Sequence, residues 1–212
     1  MKSFKRFFKE QLQELEKFVV LLPGGYKPPT RGHMHLIEEY NKNPLVEKVL
    51  VLIGPKEREG ITREHAMQVF DLYGAKNLQK VTIEPTKFDN PMQAAFSFVE
   101  SDPRDPRAEG AEEYEGMTFG IGASNKGDDA ERAKIFAAYF KKNPTKLRKG
   151  YKVAGPKDEP QFPIVNVLQT DDTDISATDL RLAIRNKDLK AIKRLIPGHV
   201  KPEDFLSVFE QK

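Results

Sequence analysis

The sequence predicts an α/β fold, with a doubly wound, mainly parallel five-stranded sheet and extra amino- and carboxyl-terminal helices. The chain has 212 residues, of which 38 % are hydrophobic, and this is enough to bury the core of one domain. Short apolar runs end at glycine or proline, which is typical of strands buried on both faces of a sheet. Helical patterns separate these runs, and strands that alternate with helices favour parallel βαβ units.

Five segments fit buried strands. The first has the sequence FVVLL at 18–22 and stops at Pro23-Gly24-Gly25. A second run, KVLVLI at 48–53, stops in the same way at Gly54-Pro55. The remaining strands are predicted at 81–83, 117–121 and 162–168.

Helices are predicted at 36–41, 62–73, 92–100 and 130–141, with Asn90 and Pro91 as the cap and first-turn proline of the third. Three further helices are predicted from Ser176 onward. At the other end, residues 1–17 form an amphipathic pattern that favours a helix. The segments 101–116 and 143–160 are rich in proline, glycine and charge, so each is predicted to be an exposed insertion or lid.

Composition excludes several functional classes. The chain carries 35 Lys+Arg and 32 Asp+Glu, a net charge of +3 with both signs interspersed, so bulk electrostatics indicates neither a nucleic-acid nor a membrane partner. There is no cysteine, which excludes a disulfide framework, a thiolate zinc site and a cysteine nucleophile. No segment has the roughly 18 apolar residues of a membrane span, and no signal-peptide run is present. A cytoplasmic protein is therefore expected.

The first motif follows the first strand, where residues 23–35 have the sequence PGGYKPPTRGHMH. Glycine lets the backbone approach a ligand closely, and a helix that starts near Gly32 directs its free amides and positive dipole end at the strand terminus. Thr30 and His33 add a hydroxyl and an imidazole donor. The combination predicts a phosphate site, while the alternative is an ordinary turn between a strand and a helix.

The second motif lies near the carboxyl terminus, where residues 174–185 have the sequence DISATDLRLAIR. Ser176 and Thr178 stand at the predicted start of a helix, and Arg181 lies on its first or second turn. The free backbone amides at the start of a helix can donate hydrogen bonds to an anion. An arginine guanidinium can bind two phosphate oxygens at once. A simple capped helix would explain Ser176 by itself.

A third stretch, GIGASN at 120–125, follows the fourth strand. The dinucleotide fingerprint GxGxxG fails because position 125 is Asn, and the hydrolase pattern GxSxG fails because Lys126 stands in place of the second glycine. Gly122, Ser124 and Asn125 then remain as candidates in a strand-to-helix loop at the carboxyl edge of the sheet.

Taken together, these motifs resemble the signatures of the nucleotidyltransferase superfamily, nearest to the nicotinamide-nucleotide and phosphopantetheine adenylyltransferases. The first motif is similar to GxFxPxTxGH, matched at Gly24 or Gly25, Tyr26, Pro28, Thr30, Gly32 and His33. The second is similar to ISxTxxR, matched at Ile175, Ser176, Thr178 and Arg181. The third resembles the IGAD-N loop of nicotinate-mononucleotide adenylyltransferases, which lies against adenosine.

Two positions depart from these patterns. Lys27 stands where the family usually has Asp, Asn or Gln, and Ser124 replaces the usual Asp of the third loop. The resemblance covers roughly residues 18–185. It implies a nucleotidyltransferase domain at 18–186, preceded by the helix at 1–17 and followed by packed helices at 187–212.

The resemblance implies that a substrate phosphate attacks the α-phosphorus of a nucleoside triphosphate and releases pyrophosphate. Thr30 would orient the reactants, His33 would donate to the phosphates, and Ser176 with Arg181 would hold the departing pyrophosphate. Lys56 and Arg58 follow the second strand, where related enzymes place a basic residue that meets the acceptor or the transferring phosphate. Mg²⁺ would bridge the phosphates, and no protein residue is assigned as its ligand.

Three functions remain open from the sequence. The leading one is transfer of AMP from ATP to a small phosphorylated acceptor such as nicotinamide mononucleotide. The alternatives are a CTP-dependent cytidylyltransferase and a non-catalytic nucleotide-binding or assembly protein that keeps the fold. A class I aminoacyl-tRNA synthetase fragment fits less well because no KMSKS-like loop is present. The oligomeric state is open, and a homo-oligomer is compatible with the sequence.

Overall fold

The computed structural model describes residues 17–100, 114, 116–122, 129–154 and 176–210. Within this part of the chain, five parallel strands form one sheet in the order β3-β2-β1-β4-β5. In chain order the strands are β1 Phe18–Gly24, β2 Val46–Ile53, β3 Val81–Pro85, β4 Thr118–Ile121 and β5 Lys152–Val153. The predicted α/β class with a five-stranded parallel sheet is confirmed.

Helices connect the strands and extend the chain beyond the last strand. They are α1 Arg31–Lys42, α2 Arg63–Leu72, α3 Pro91–Val99, α4 Asp129–Lys142, α5 Ala177–Arg185, α6 Leu189–Leu195 and α7 Pro202–Ser207. Among the described residues, short 3₁₀ turns include Ala75–Asn77 and Pro144–Lys146. Helix α3 begins as predicted, because the Asn90 side chain accepts from the Met92 amide and Pro91 needs no amide partner.

The central strands bury both of their faces, because successive side chains point to opposite sides of a strand. On one face, Val20 and Val51 pack with apolar side chains of α1, α2 and the three carboxyl-terminal helices. On the other face, Leu21 and Leu50 pack with α3, α4 and Tyr151. Burial on both sides explains why β1 and β2 form continuous apolar runs in the sequence.

The order of the strands creates a crevice between β1 and β4. From β1 the chain moves outward to β2 and β3, and it then returns to place β4 and β5 on the other side of β1. At the carboxyl ends of these two neighbouring strands the strand order therefore reverses, and the helices that follow them, α1 and α4, pack on opposite faces of the sheet. In open α/β sheets this point is where ligands bind.

One sequence prediction was wrong. The segment 143–160 was predicted to be an exposed insertion or lid, but its described part contributes the edge strand β5. Tyr151 is buried there and stacks on Phe119 of β4 with ring centroids 4.6 Å apart. The error arose because a two-residue strand that begins with an exposed lysine has no apolar run.

Several other predictions lie outside the described residues. These are the amino-terminal helix over 1–16, the strand at 162–168 and most of the insertion at 101–116. The three helices predicted from Ser176 onward are confirmed as α5, α6 and α7. In the described part of the chain, no helix has the length and apolar character that crossing a membrane requires.

Candidate functional site

A cavity of about 210 Å³ lies in the crevice between β1 and β4. It is bounded by the end of β1, the first turns of α1 and α3, the end of β4 and one side chain of α4. Its lining consists of Leu22, Pro23, Gly24, Gly25, Tyr26, His33, Leu36, Met92, Ile121, Gly122 and Arg132. Four of the sequence-predicted site residues thus meet at one cavity: Gly25, Tyr26, His33 and Gly122.

The imidazole of His33 is held by the start of α1. Thr30 is the N-cap, and its hydroxyl oxygen accepts a hydrogen bond from the His33 amide at 3.4 Å. In return, the Thr30 amide donates to Nδ1 of His33 at 3.0 Å, which completes a capping box. Because Nδ1 accepts, the proton of the neutral ring belongs on Nε2.

Tyr26 supports the same imidazole from the side. Its ring meets the His33 ring edge to face, with centroids 5.0 Å apart, and its hydroxyl donates to the Leu22 carbonyl at 2.9 Å. This folded-back position requires glycine at 24, because a Cβ there would lie 2.5 Å from the Tyr26 ring. The glycine turn therefore makes room for the aromatic ring that borders the cavity.

Gly122 brings β4 against the end of β1. Its amide donates to the Leu21 carbonyl at 2.8 Å, and a Cβ at this position would lie 2.4 Å from Leu22 and 2.9 Å from Tyr40. Any larger residue would push the two strands apart at the cavity. Ser124 and Asn125, the other candidates in this loop, lie outside the described residues.

Thr30 and Gly32 do not line the cavity. Thr30 is only 2 % exposed, and its hydroxyl is occupied by the capping box. Gly32 lies in the first turn of α1, which contains no acidic residue. The positive end of the helix dipole therefore remains available to an anion at this edge of the sheet.

Lys27, one of the two departures from the pattern that the first motif resembles, has a buried side chain that links this motif to the loop after β2. Its ammonium donates to the carbonyls of Gly54, at 2.8 Å, and Lys56, both in the loop after β2. Burial lowers the pKa of Lys27, and the nearby Arg63 lowers it further. Lys56 and Arg58 themselves are exposed on the same loop and do not line the cavity.

The second motif begins α5 as predicted and packs against the loop of the first. Ser176 is the N-cap and accepts from the Thr178 amide at 3.0 Å. Arg181 is 4 % exposed and donates to the Lys27 carbonyl at 3.1 Å and to the Thr178 hydroxyl at 2.9 Å. A hydrogen bond thus joins the first and second motifs directly, although Lys27 and Arg181 lie 154 residues apart.

Arg181 has a third partner that the sequence did not indicate. Its Nε donates to Oε1 of Glu59 at 2.8 Å, and Oε2 of Glu59 accepts from Arg185 at 2.8 Å. Sequence reasoning also missed Met92 and Arg132, which line the cavity from α3 and α4. No local signal marks these residues, because their positions follow from strand order.

The described residues provide no protein cage for a metal ion. They contain no group of three or more His, Asp or Glu side chains close enough to bind one, and none of the described lining residues carries a carboxylate. The described residues alone therefore do not form a resident Mg²⁺ site. An ion that binds chiefly through substrate phosphates and water needs no such cage.

Comparisons with known proteins support the fold. No protein-family model and no curated protein matches the chain. A solved structure of the Plasmodium falciparum nicotinic acid mononucleotide adenylyltransferase, complexed with APC, is 13 % identical with a TM-score of 0.50, and the match covers 92 % of this chain and 96 % of that one. Despite the low identity, nearly the whole of each chain is superimposed.

Two structures of a bifunctional NMN adenylyltransferase/ADP ribose pyrophosphatase from Francisella tularensis match as well. One has a TM-score of 0.52, and the other, complexed with AMP and a manganese ion, has a TM-score of 0.50. Both are 16 % identical and the matches cover 92 % of this chain, but only 52 % and 51 % of the longer bifunctional chains. The chain therefore shares the Rossmann-like fold of these adenylyltransferases.

Proposed function

We propose that this protein is an adenylyltransferase that joins AMP from magnesium-bound ATP to a small phosphorylated acceptor and releases pyrophosphate. The observation that carries the proposal is the position of His33. Its imidazole lines a cavity at the carboxyl ends of β1 and β4, beside a helix amino terminus, and Arg181 of the second motif donates to the Lys27 carbonyl in the same loop. A pyridine mononucleotide such as nicotinamide mononucleotide is the leading acceptor.

The choice of ATP and of a pyridine mononucleotide gains support from the structural neighbours. One is an adenylyltransferase for nicotinic acid mononucleotide, and another is a nicotinamide mononucleotide enzyme with AMP bound. Thr30 also supports ATP, because cytidylyltransferases typically carry a doubled histidine in the first motif. The proposal therefore favours ATP over CTP.

In the proposed reaction, an oxygen of the acceptor phosphate attacks the α-phosphorus of ATP. The bond between that phosphorus and the bridging oxygen to the β-phosphate breaks, and pyrophosphate leaves with the electron pair. The chain needs no covalent intermediate, because positioning and charge stabilisation suffice for such a transfer. The rate then depends on how well the donors near the cavity match the charge of the transferring group.

Each site residue has a role in this proposal. Nε2–H of His33 donates to a phosphate oxygen, and Thr30 fixes the imidazole through the capping box. The positive end of the α1 dipole, at its first amides, stabilises the negative charge of the phosphates. The β- and γ-phosphates lie at the start of α5, near Ser176, Thr178 and Arg181. Gly122, Ser124 and Asn125 contact the adenosine part, and Lys56 and Arg58 meet the acceptor phosphate.

A second candidate is a nucleotide-binding protein without turnover. The observation that favours it is the engagement of the buried Arg181, whose three guanidinium nitrogens each donate to a protein acceptor. An arginine fixed in this way would bind phosphates only after rearrangement. The two candidates differ in turnover and agree in nucleotide binding.

The direct experiment measures pyrophosphate release from ATP and from CTP with four acceptors: nicotinamide mononucleotide, phosphopantetheine, phosphocholine and glycerol phosphate. Release from ATP with nicotinamide mononucleotide would support the proposal in full. Release from CTP alone would overturn the choice of nucleotide. Binding of ATP without release in any pair would favour the non-catalytic candidate.

A further inference from the structure

The turn that carries Glu59 has an unusual composition for its geometry. Arg58 and Ile61 exchange two backbone hydrogen bonds, of 3.1 and 3.0 Å, across a two-residue turn. Its two central residues, Glu59 and Gly60, have φ values of 52° and 80°. Asn, Asp and Gly are favoured at the first of these positions, because a residue with a long side chain is strained at positive φ. The glutamate therefore needs another explanation.

The contacts of its carboxylate provide that explanation. The two oxygens of Glu59 bind two different arginines of α5, Arg181 and Arg185, each at 2.8 Å. The Arg181 side chain is 4 % exposed, whereas that of Glu59 is 42 % exposed. A buried guanidinium requires a counter-charge, and an asparagine in the turn would be too short and uncharged.

Carboxylate and phosphate present equivalent oxygens to a guanidinium fork. Arg181 is the arginine of the second motif, and its remaining bonds go to the Lys27 carbonyl and the Thr178 hydroxyl. An incoming polyphosphate at the start of α5 would therefore compete first with Glu59, the one anion among these three acceptors. Glu59 can move away at low cost because residues 55–60 are all exposed, while the buried Ile61 anchors the base of the turn.

We propose that Glu59 is an internal phosphate substitute, which occupies Arg181 and Arg185 in the unliganded protein and is displaced by the triphosphate. This inference rests on the proposed function, because it places the triphosphate at α5. The turn 58–61 is then a gate: its contact with Arg181 lowers the affinity for the nucleotide until the triphosphate displaces Glu59. Removal of the carboxylate tightens nucleotide binding, whereas loss of a residue that merely supports the site weakens it.

Calorimetry with the α,β-methylene analogue of ATP in Mg²⁺ buffer tests this on the full chain. We expect Glu59→Gln to lower the dissociation constant by about twofold to fivefold, the range for releasing a partly exposed carboxylate from its arginine partners. Glu59→Asn is a second variant, which removes the same carboxylate and suits the positive φ of the turn, and thermal unfolding shows whether each variant is folded. Glu57→Gln is the matched control, because it removes the same charge from the same loop.

The outcomes separate the inference from the function on which it rests. Tighter binding in both Glu59 variants, with Glu57→Gln equal to wild type, supports the gate. Equal or weaker binding in the Glu59 variants overturns it, even if the protein is an adenylyltransferase. Equal tightening by Glu57→Gln also overturns it, because net charge would then be the cause. If the wild-type protein binds no analogue, the proposed function fails and the gate fails with it.

Discussion

The helices α1 and α2 begin with the same capping box, and of these two boxes only the one at α1 lies at the cavity. Thr30 and His33 exchange hydrogen bonds of 3.0 and 3.4 Å, and Thr62 and His65 exchange bonds of 3.2 and 3.3 Å. Each helix follows a strand of the same sheet. The local sequence TRxH therefore explains how a helix begins and does not by itself make a site.

The two histidines differ in what surrounds them. His33 lines the cavity at the carboxyl ends of β1 and β4 and meets the ring of Tyr26. His65 follows β2, which lies between β1 and β3, and its ring packs 5.5 Å from Phe209 at the carboxyl-terminal end. Topology thus places one imidazole at the cavity and the other away from it, against Phe209. The following variants test this difference.

The largest effect is expected from the two histidines themselves. His33→Ala should lower turnover by on the order of 10²-fold, the loss of one transition-state donor, whereas His65→Ala should keep turnover near wild type. Both variants lose the same capping-box contact, so their melting temperatures should fall by similar amounts. Pyrophosphate release and thermal unfolding measure the two effects. Equal turnover in the two variants would show that His33 has no special role.

A smaller effect is expected from the threonines. Thr30→Ala and Thr62→Ala should each lower the free energy of unfolding by about 1 kcal/mol, the usual value of an N-cap. Thr30→Ala should also lower turnover by about tenfold, because it removes the hydroxyl that lies 3.1 Å from Nδ1 of His33 and leaves the imidazole held by the backbone amide alone. Urea unfolding and turnover are the measurements. A turnover defect of the same size in Thr62→Ala would contradict the distinction between the two caps.

The smallest effect on activity is expected at the aromatic neighbour of His65. Phe209→Ala should lower the free energy of unfolding by about 1–2 kcal/mol, less than a fully buried phenylalanine would cost, because the ring is only partly buried. Turnover of the folded variant should be unchanged, measured well below its melting temperature. A substantial loss of turnover there would mean that the second capping box is coupled to the reaction.

Much of the fold could be predicted from sequence, because burial on both faces leaves a continuous apolar run in β1 and β2. Strand β5 could not be predicted in this way, since Lys152 and Val153 join the sheet through backbone pairing and the stacking of Tyr151 on Phe119. Helix starts were predictable wherever a side chain caps its own helix, as at Asn90 and Ser176. Such signals are local and survive in the linear sequence.

The candidate site was predictable only in its local parts. The capping motif indicated His33, but the cavity also uses Met92 and Arg132, which strand order brings to the same edge. The sequence suggested that Arg181 binds phosphate oxygens, but it did not indicate the bond between Arg181 and Glu59, which lies 122 residues away. Contacts of this range depend on packing between elements, and no spacing within one element encodes them.

A crystal structure of the protein with the α,β-methylene analogue of ATP and Mg²⁺ would show directly where the triphosphate binds. We expect a phosphate oxygen within about 3 Å of Nε2 of His33, the distance of a hydrogen bond, at the carboxyl ends of β1 and β4. A triphosphate bound beside His65, or elsewhere on the surface with His33 uncontacted, would show that topology does not select the first capping box as the site.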